Sequence, residues 1–252
     1  MNYELNPPKI LPSEYFDNSR LYSDIDIVKK KILLIKKYVD GIHLTDSVLG
    51  VPRLSSIAMA SIVKKLVDDL KISCSVRTRD RNFTSMYQVV TDSILLEIDS
   101  LLILLGDEPI KGPKNRNPLK PTQFVLESNK HGFTQCVKMN LSFPNKINDY
   151  TMIHKKIDAK PHAFVTQSIQ SLNDLGKIVD FVKPFKIKII ACIMLPSEKN
   201  RRSAEAIGLD WNEYEKEPLD FIDKAGKLAD EVLLTSPNHF SLAETLLKKI
   251  KR

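Results

Sequence analysis

The sequence is poor in glycine and cysteine, and it lacks long apolar runs. Its 252 residues include 8 glycines and no G-x-G-x-x-G. This argues against an open dinucleotide-binding sheet, because that fold carries a glycine-rich phosphate turn after its first strand. Cys74, Cys136 and Cys192 are far apart and each lies in an apolar run, so we expect reduced thiols packed in the interior. No apolar run approaches the roughly 20 residues that cross a membrane.

Positive charge is in excess, with a formal net charge of +7, and this favours anionic partners. The lysines are scattered in doublets rather than gathered in one arm, and no aromatic residues are interleaved with them, so no nucleic-acid partner is expected. The first residues contain no basic region followed by an apolar one. We therefore predict a cytoplasmic protein without membrane association that takes an anionic cofactor or substrate.

Apolar runs rich in β-branched residues alternate with segments of helical period. The runs lie at 3–6, 41–45, 72–78, 101–105, 135–141, 163–166, 187–195 and 231–235. Eight strands that are each followed by a helix predict a parallel sheet, since every crossover helix returns the chain to the same end. Eight such units fit a (β/α)8 TIM barrel, and we predict one domain with that fold over residues 1–252.

Polar side chains lie at the C-terminal ends of several predicted strands, where barrel active sites are found. Glu4 belongs to the first strand, Asp107 follows the fourth, and Gln167 follows the sixth. A glutamate inside an apolar strand has a raised pKa and can serve as a general acid. Asp46 and Ser197, in contrast, need do no more than cap the following helix. No cluster of His and Cys accompanies these residues, so no metal site is expected.

Four short motifs, in order along the chain, resemble the flavin-dependent methylenetetrahydrofolate reductases. They are Tyr3-Glu4-Leu5-Asn6-Pro7-Pro8-Lys9 at the first strand, Arg79-Asp80-Arg81-Asn82 after the third, Gly106-Asp107-Glu108-Pro109 after the fourth, and Lys156-Ile157-Asp158-Ala159 followed by Phe164-Val165-Thr166-Gln167 at the sixth. Each motif is short, and the resemblance rests on their order and spacing over nearly the whole chain.

The resemblance implies a role for each of these positions. Glu4 would be the general acid that helps to open the five-membered ring of methylenetetrahydrofolate to an iminium, and Asp107 and Gln167 would hold the pterin. Hydride would pass from NAD(P)H to FAD and then to the methylene carbon, which gives the 5-methyl form. The residues that would contact FAD are Thr45, Gly106, Asp107, Phe143, Asp149 and Lys156.

The chain departs from the family pattern in three segments. Ser75-Val76-Arg77-Thr78 stands in place of His-Leu-Thr-Cys, Phe143-Pro144-Asn145 in place of Tyr-Pro-Glu, and Ser197-Glu198-Lys199-Asn200-Arg201 in place of a segment with a stacking aromatic residue. The electron donor therefore stays open between NAD(P)H and a protein such as a ferredoxin or a partner flavoprotein. The C1 carrier stays open between folate and a modified pterin.

Two other functions remain open from the sequence. One is a non-catalytic subunit that binds FAD or a pterin carrier within a C1-transfer complex. The other is a lyase or aldolase that acts on an anionic substrate, for which Lys138 is the candidate reactive lysine. The sequence also leaves open whether the chain forms a homo-oligomer.

Overall fold

Eight parallel strands close into a barrel in the computed structural model, which describes residues 1–10, 15–110, 114–143 and 150–250. Neighbouring strands pair in sequence order, and the last pairs with the first. The strands are β1 (Asn2–Leu5), β2 (Gly41–Leu44), β3 (Lys71–Arg77), β4 (Ser100–Leu104), β5 (Lys138–Phe143), β6 (Ala163–Ser168), β7 (Lys188–Met194) and β8 (Glu231–Thr235). The predicted (β/α)8 barrel is confirmed.

Helices connect the strands and cover the outside of the barrel. They are α1 (Asn18–Ile35), α2 (Ser56–Leu66), α3 (Phe83–Leu95), α4 (Pro121–Lys130), α5 (Phe133–Cys136), α6 (Tyr150–Asp158), α7 (Leu172–Val182), α8 (Arg201–Ala206), α9 (Pro218–Leu228) and α10 (Phe240–Ile250). Asp17 and Ser171 begin α1 and α7, because their side chains accept hydrogen bonds from the first free backbone N–H groups. No helix in the described ranges is both long and apolar enough to cross a membrane.

The fifth strand begins three residues later than the sequence predicted. Residues 135–141 were expected to form it, but the short helix α5 occupies the start of that range and β5 begins at Lys138. Gly132, with φ of 78°, sets the turn before α5. Cys136 ends this helix and is exposed, so its predicted burial is wrong, whereas Cys74 and Cys192 are buried as expected.

The strands supply side chains to two separate apolar clusters, because successive residues of a strand point to opposite faces. Outward-pointing residues such as Tyr3, Leu44 and Met139 pack with helix residues in one large cluster. The second cluster is small and lies inside the barrel. It consists of Leu102, Val165 and Leu233, with Leu104 and Ile190 packed against it.

The strand register stacks the inward-facing side chains in layers of four that come from alternate strands, as is typical of this fold. We number three of these layers from the N-terminal to the C-terminal ends of the strands. The lower layer consists of Asn2, Ser73, Asn140 and Ile190, and the middle layer of His43, Leu102, Val165 and Leu233. The upper layer consists of Glu4, Ser75, Ser142 and Cys192. Of the three, the middle layer is the mainly apolar one, and it separates two polar ends.

His43 is the polar member of the middle layer, and it links the layers on either side. Its Nδ1 lies 2.8 Å from Ser73 Oγ below, and its Nε2 lies 2.8 Å from Ser75 Oγ above. The side chain is 3% exposed, and burial lowers the pKa of His43 to about 4. A neutral imidazole therefore satisfies both serines without placing a charge inside the barrel.

Replacing His43 with glutamine should make the free energy of unfolding fall less steeply as the pH is lowered. The pKa of His43 rises from about 4 to 6.5 when the chain unfolds, so protonation favours unfolding as the pH falls between these values. A shift of this size corresponds to about 3 kcal/mol. Urea denaturation at several pH values from about 7 to about 4 should show wild type losing this much more stability than His43→Gln. Parallel losses in the two proteins would contradict the prediction.

Candidate active site

The upper layer carries the chemistry of the C-terminal mouth, and Glu4 is its one carboxylic acid. Glu4 Oε1 accepts a hydrogen bond of 2.8 Å from the hydroxyl of Thr235 at the end of β8. Burial raises the pKa of Glu4, and the Thr235 bond and the charge of Arg53 oppose the rise only in part. Glu4 is therefore suited to hold a proton and to give it to a bound molecule.

Cys192 shares the upper layer with Glu4 but is not suited to act as a nucleophile. Burial, and after it the negative charge of Glu4, raise the pKa of the Cys192 thiol to about 12. Its sulfur lies 3.8 Å from Ser168 Oγ, its hydrogen-bonding neighbour on β6. The thiol stays protonated at neutral pH, so the reactive thiolate is absent.

Arg53 brings a positive charge to Glu4 from the loop that follows β2. The loop lies along the end of the first strand, with hydrogen bonds of 2.9 Å from Ile10 N to Pro52 O and from Leu54 N to Pro8 O. The Arg53 guanidinium donates to Pro7 O at 2.8 Å. Burial lowers the pKa of Arg53 and Glu4 raises it again, which identifies the two groups as electrostatic partners. Arg53 can therefore stabilise the carboxylate that Glu4 becomes after it gives up its proton.

Asp107 already has a partner within the protein. Its Oδ2 accepts a 2.7 Å hydrogen bond from the backbone N–H of Leu49, and its side chain is exposed. The same two loops meet again where Ile110 N donates to Gly50 O at 3.3 Å. A Cβ on Gly50 would lie 1.9 Å from Glu108 O, so the backbones are in close contact. The carboxylate of Asp107 thus links the loop after β4 to the loop after β2.

Gly106 makes room for the side chain of Arg77. Its φ is 81°, and a Cβ built on it would lie 2.9 Å from Arg77 Nε. The buried Arg77 guanidinium donates to Ser47 O at 3.1 Å and to Asp107 O at 2.8 Å, and it pairs with Asp80 at 2.6 Å. The glycine therefore serves a contact within the protein, which accounts for its presence without a cofactor.

The other predicted flavin contacts differ in what they offer a ligand. Phe143 is fully buried in the outer cluster, with its ring centroid 5.3 Å from that of Phe164, so its side chain faces away from the mouth. Thr45 is buried and donates its hydroxyl to Asn6 Oδ1 at 2.6 Å. Asp149 lies outside the described residues.

Lys156 and Gln167 both present polar groups at the C-terminal side of the barrel. The Lys156 ammonium donates to the backbone carbonyl of Ser142 and lies 3.5 Å from Ser142 Oγ, next to the upper layer. Burial lowers the pKa of Lys156. Gln167 is exposed at a bulge in β6, where the register with β7 slips between Val165 and Ser168.

A basic cleft of about 700 Å³ opens beside the mouth, between the segments that follow β3 and β4. It is lined by Arg79, Glu108, Lys114, Asn115, Arg116 and Pro118. Its volume falls within the usual range for ligand sites, and its three cationic side chains suit phosphate groups. Two of the three already face a carboxylate in the cleft, since Glu108 pairs with Lys114 and lies 3.9 Å from Arg79.

No metal site accompanies these groups within the part of the chain that the structure describes. No three His, Cys, Asp or Glu side chains are grouped there so that they could bind an ion. The candidate site is therefore built from one proton-holding acid, a neighbouring arginine and a rim of amides, hydroxyls and cations.

Sequence reasoning missed Arg53 and Cys192 as members of this site. Cys192 shares a layer with Glu4, but that depends on the register of strands that are distant in sequence. Arg53 lies in a loop, where no periodicity marks a residue that faces the barrel. Arg77, in contrast, is visible in the sequence, because it stands at the end of the third apolar run just before the Arg79-Asp80-Arg81-Asn82 motif.

Comparison with known proteins adds information about the fold. No family model matches the chain, and no curated protein matches it. The solved structure of 7,8-dihydropteroate synthase from Vibrio fischeri ES114 is similar, with a TM-score of 0.52 and 11% sequence identity. The match covers 99% of this chain and 91% of that one. At this identity the similarity concerns the barrel alone.

Replacing Gly106 with alanine should destabilise the protein more than replacing Gly132. Both glycines have φ close to 80°, so an alanine costs about 1–2 kcal/mol of backbone strain at either position. At Gly106 the new methyl group also meets Arg77, whereas nothing lies within 4 Å at Gly132. We expect Gly106→Ala to lose a further 1–3 kcal/mol or so in urea denaturation. Equal losses would mean that Arg77 is not held against this turn.

Proposed function

We propose that the chain is an enzyme that reduces a pterin-bound one-carbon unit, in the manner of the flavin-dependent methylenetetrahydrofolate reductases. The observation that carries the proposal is Glu4, a proton-holding acid inside the mouth of a barrel. The order of the four sequence motifs supports it. The fold of a protein named for dihydropteroate, a pterin compound, is similar over almost the whole chain and is consistent with a pterin ligand.

Glu4 would transfer its proton to a nitrogen of methylenetetrahydrofolate, or of the corresponding modified pterin, as the five-membered ring opens to the iminium. Its raised pKa keeps the proton available near neutral pH. The carboxylate left behind would be stabilised by the Thr235 hydroxyl, 2.8 Å away, and by the charge of Arg53. Glu4 would thus supply the proton, and Arg53 would supply the positive charge that stabilises the carboxylate left behind.

Asp107 and Gln167 would orient the pterin. Asp107 uses one carboxylate oxygen for Leu49, which leaves the other to accept from a ring N–H. The exposed amide of Gln167 can both donate and accept, as a pterin edge requires. An acceptor held in place by a protein hydrogen bond loses little freedom when a ligand binds.

FAD would be held by Lys156 and the basic cleft, and when bound it would supply the hydride that reduces the iminium. Among the other predicted flavin contacts, Thr45 is buried and bonded to Asn6, and Gly106 and Phe143 likewise make contacts within the protein. The electron donor would be NAD(P)H or a partner protein.

A second candidate is a flavin-free barrel that binds a pterin carrier as a subunit of a C1-transfer complex. The observation in its favour is that the fold alone explains the glycine at position 106 and the buried ring of Phe143. The lyase or aldolase alternative loses support, because Lys138 begins β5 and lines the opening at the other end of the barrel from Glu4.

Replacing Lys156 with methionine should weaken FAD binding by about 1–3 kcal/mol, because a charge-assisted hydrogen bond to phosphate is lost. Fluorescence quenching of added FAD measures the affinity, and the absorbance of the pure protein between about 350 and 500 nm reports retained flavin. The matched control is Lys155→Met, which removes an exposed lysine from the same helix. A colourless protein that leaves FAD fluorescence unchanged would favour the flavin-free candidate.

Replacing Glu4 with glutamine should separate the two half-reactions. Glutamine keeps the size of the side chain and can bond to Thr235, but it has no acidic proton to donate. Reduction of bound flavin should persist, while its reoxidation by methylenetetrahydrofolate should slow by about 10²–10⁴-fold, the usual scale of general acid catalysis. Stopped-flow absorbance follows both steps.

Glu231→Gln is the control for this variant, because it removes a carboxyl group from the opposite end of the barrel interior, where Glu231 accepts from Asn2 at 2.8 Å. It should reoxidise at the wild-type rate. Reoxidation of Glu4→Gln at that same rate would exclude Glu4 as the proton donor.

A further inference from the structure

The loop after β2 is held in a conformation that most residues rarely adopt. Ser47, Leu49 and Gly50 have φ of 46°, 56° and 69°, all in the left-handed region. Glycine adopts this region freely, but a bulky side chain such as that of leucine does so rarely, because its Cβ comes too close to the following carbonyl oxygen. A leucine therefore stands where glycine or asparagine would fit with less strain.

Contacts with neighbouring segments hold each of these three residues in place. Leu49 N donates to Asp107 Oδ2 at 2.7 Å, and the Arg77 guanidinium donates to Ser47 O at 3.1 Å. The Gly50 backbone lies against the loop after β4. Strained backbone persists only where the surrounding structure fixes it, and such positions are concentrated at ligand-binding and catalytic sites. The strain therefore indicates a role for this loop beyond the connection of β2 to α2.

The Leu49 side chain is exposed, and a second exposed apolar residue belongs to the same junction. Leu49 is 51% exposed, and Ile110, whose N–H donates to Gly50 O at 3.3 Å, is 64% exposed. Single exposed apolar residues are common, but two of them meet here at one junction beside the mouth. Neither belongs to an apolar cluster of the protein. Packing within the protein therefore does not explain the leucine.

Asp107 places a hydrogen-bond acceptor beside this apolar surface. One of its carboxylate oxygens binds Leu49 N–H, and the other has no hydrogen-bonding partner among the described residues. A ring nitrogen that donates to this second oxygen would lie about 3 Å from it, and thus within reach of the Leu49 side chain. A polar anchor next to an apolar surface is typical of ligand sites, and it suits a flat heterocycle with N–H groups along its edge.

We propose that Leu49 is a specificity-determining residue whose side chain packs against the face of the pterin ring that Asp107 binds by its edge. The inference rests on the proposed function, in which a pterin is the ligand of Asp107 in both candidates. The strained loop keeps the leucine exposed and in a fixed position, so little freedom is lost when the ring binds. Asp107 thus fixes the ring edge directly and the ring face through Leu49.

Titration with 6-methylpterin, followed by quenching of the pterin fluorescence, tests the proposal. Leu49→Asn removes the apolar side chain, and asparagine adopts the left-handed region more readily than leucine. We expect an unchanged or higher Tm together with binding at least about tenfold weaker than in wild type, since the apolar contact is lost. Leu49→Met keeps an apolar side chain of similar volume and should bind within about threefold of wild type.

Two matched controls lie between α3 and β4, at the N-terminal end of the barrel. Glu97 is exposed and has φ of 52°, so Glu97→Asn relieves the same kind of strain away from the mouth. Leu95 is 82% exposed, so Leu95→Asn removes a leucine from the surface in the same way. Both variants should bind 6-methylpterin as wild type does.

The outcomes separate this inference from the function on which it rests. Wild type without saturable pterin binding would overturn both the inference and the pterin ligand of the proposed function. If wild type binds and Leu49→Asn binds equally well, the inference alone is wrong. A lower Tm of Leu49→Asn, or equally weak binding by Leu49→Met, would also overturn it, because the leucine would then serve the loop rather than the ring.

Discussion

A single apolar layer across the barrel separates its two polar ends, and the properties of both ends depend on it. Leu102, Val165 and Leu233 exclude water from the centre, and His43 completes the layer as a neutral side chain bonded to a serine on each side. Were this layer polar, water would connect both openings and the burial that raises the pKa of Glu4 would be lost. One barrel can therefore keep a proton-holding acid above the layer and a separate opening, lined by both lysines and carboxylates, below it.

The fold could be predicted from the sequence because each strand and helix leaves a local signal, whereas faces and partners depend on residues far apart in the chain. Apolar runs of strand length marked all eight strands, and only β5 was misplaced, because the α5 segment before it is equally apolar. Phe143 stands beside the inward-facing Ser142, and the sequence does not say which of the two faces the mouth. The register of the neighbouring strands decides it.

The candidate site shows the same division between local and distant information. Glu4 was recognisable because a carboxyl group within an apolar strand needs a reason to be there. Of its partners, Thr235 ends the eighth apolar run and therefore shares the rim with Glu4 in a barrel, whereas Arg53 lies in a loop that carries no such signal. Asp107 was noticed for the same reason as Glu4, yet its side chain is exposed and already accepts from the backbone of Leu49. A carboxylate in or directly after an apolar strand thus predicts a hydrogen-bonding partner. Only the folded structure shows whether that partner is a ligand or the protein itself.

The connection between the loops after β2 and β4 has a consequence for how the mouth opens. Leu49 N–H is bound to Asp107, Ile110 N–H is bound to Gly50, and the Gly50 backbone lies against Glu108. Neither loop can lift without breaking the contacts of the other. Because each contact ties one loop to the other, we expect this side of the mouth to move as a single unit rather than as two independent loops.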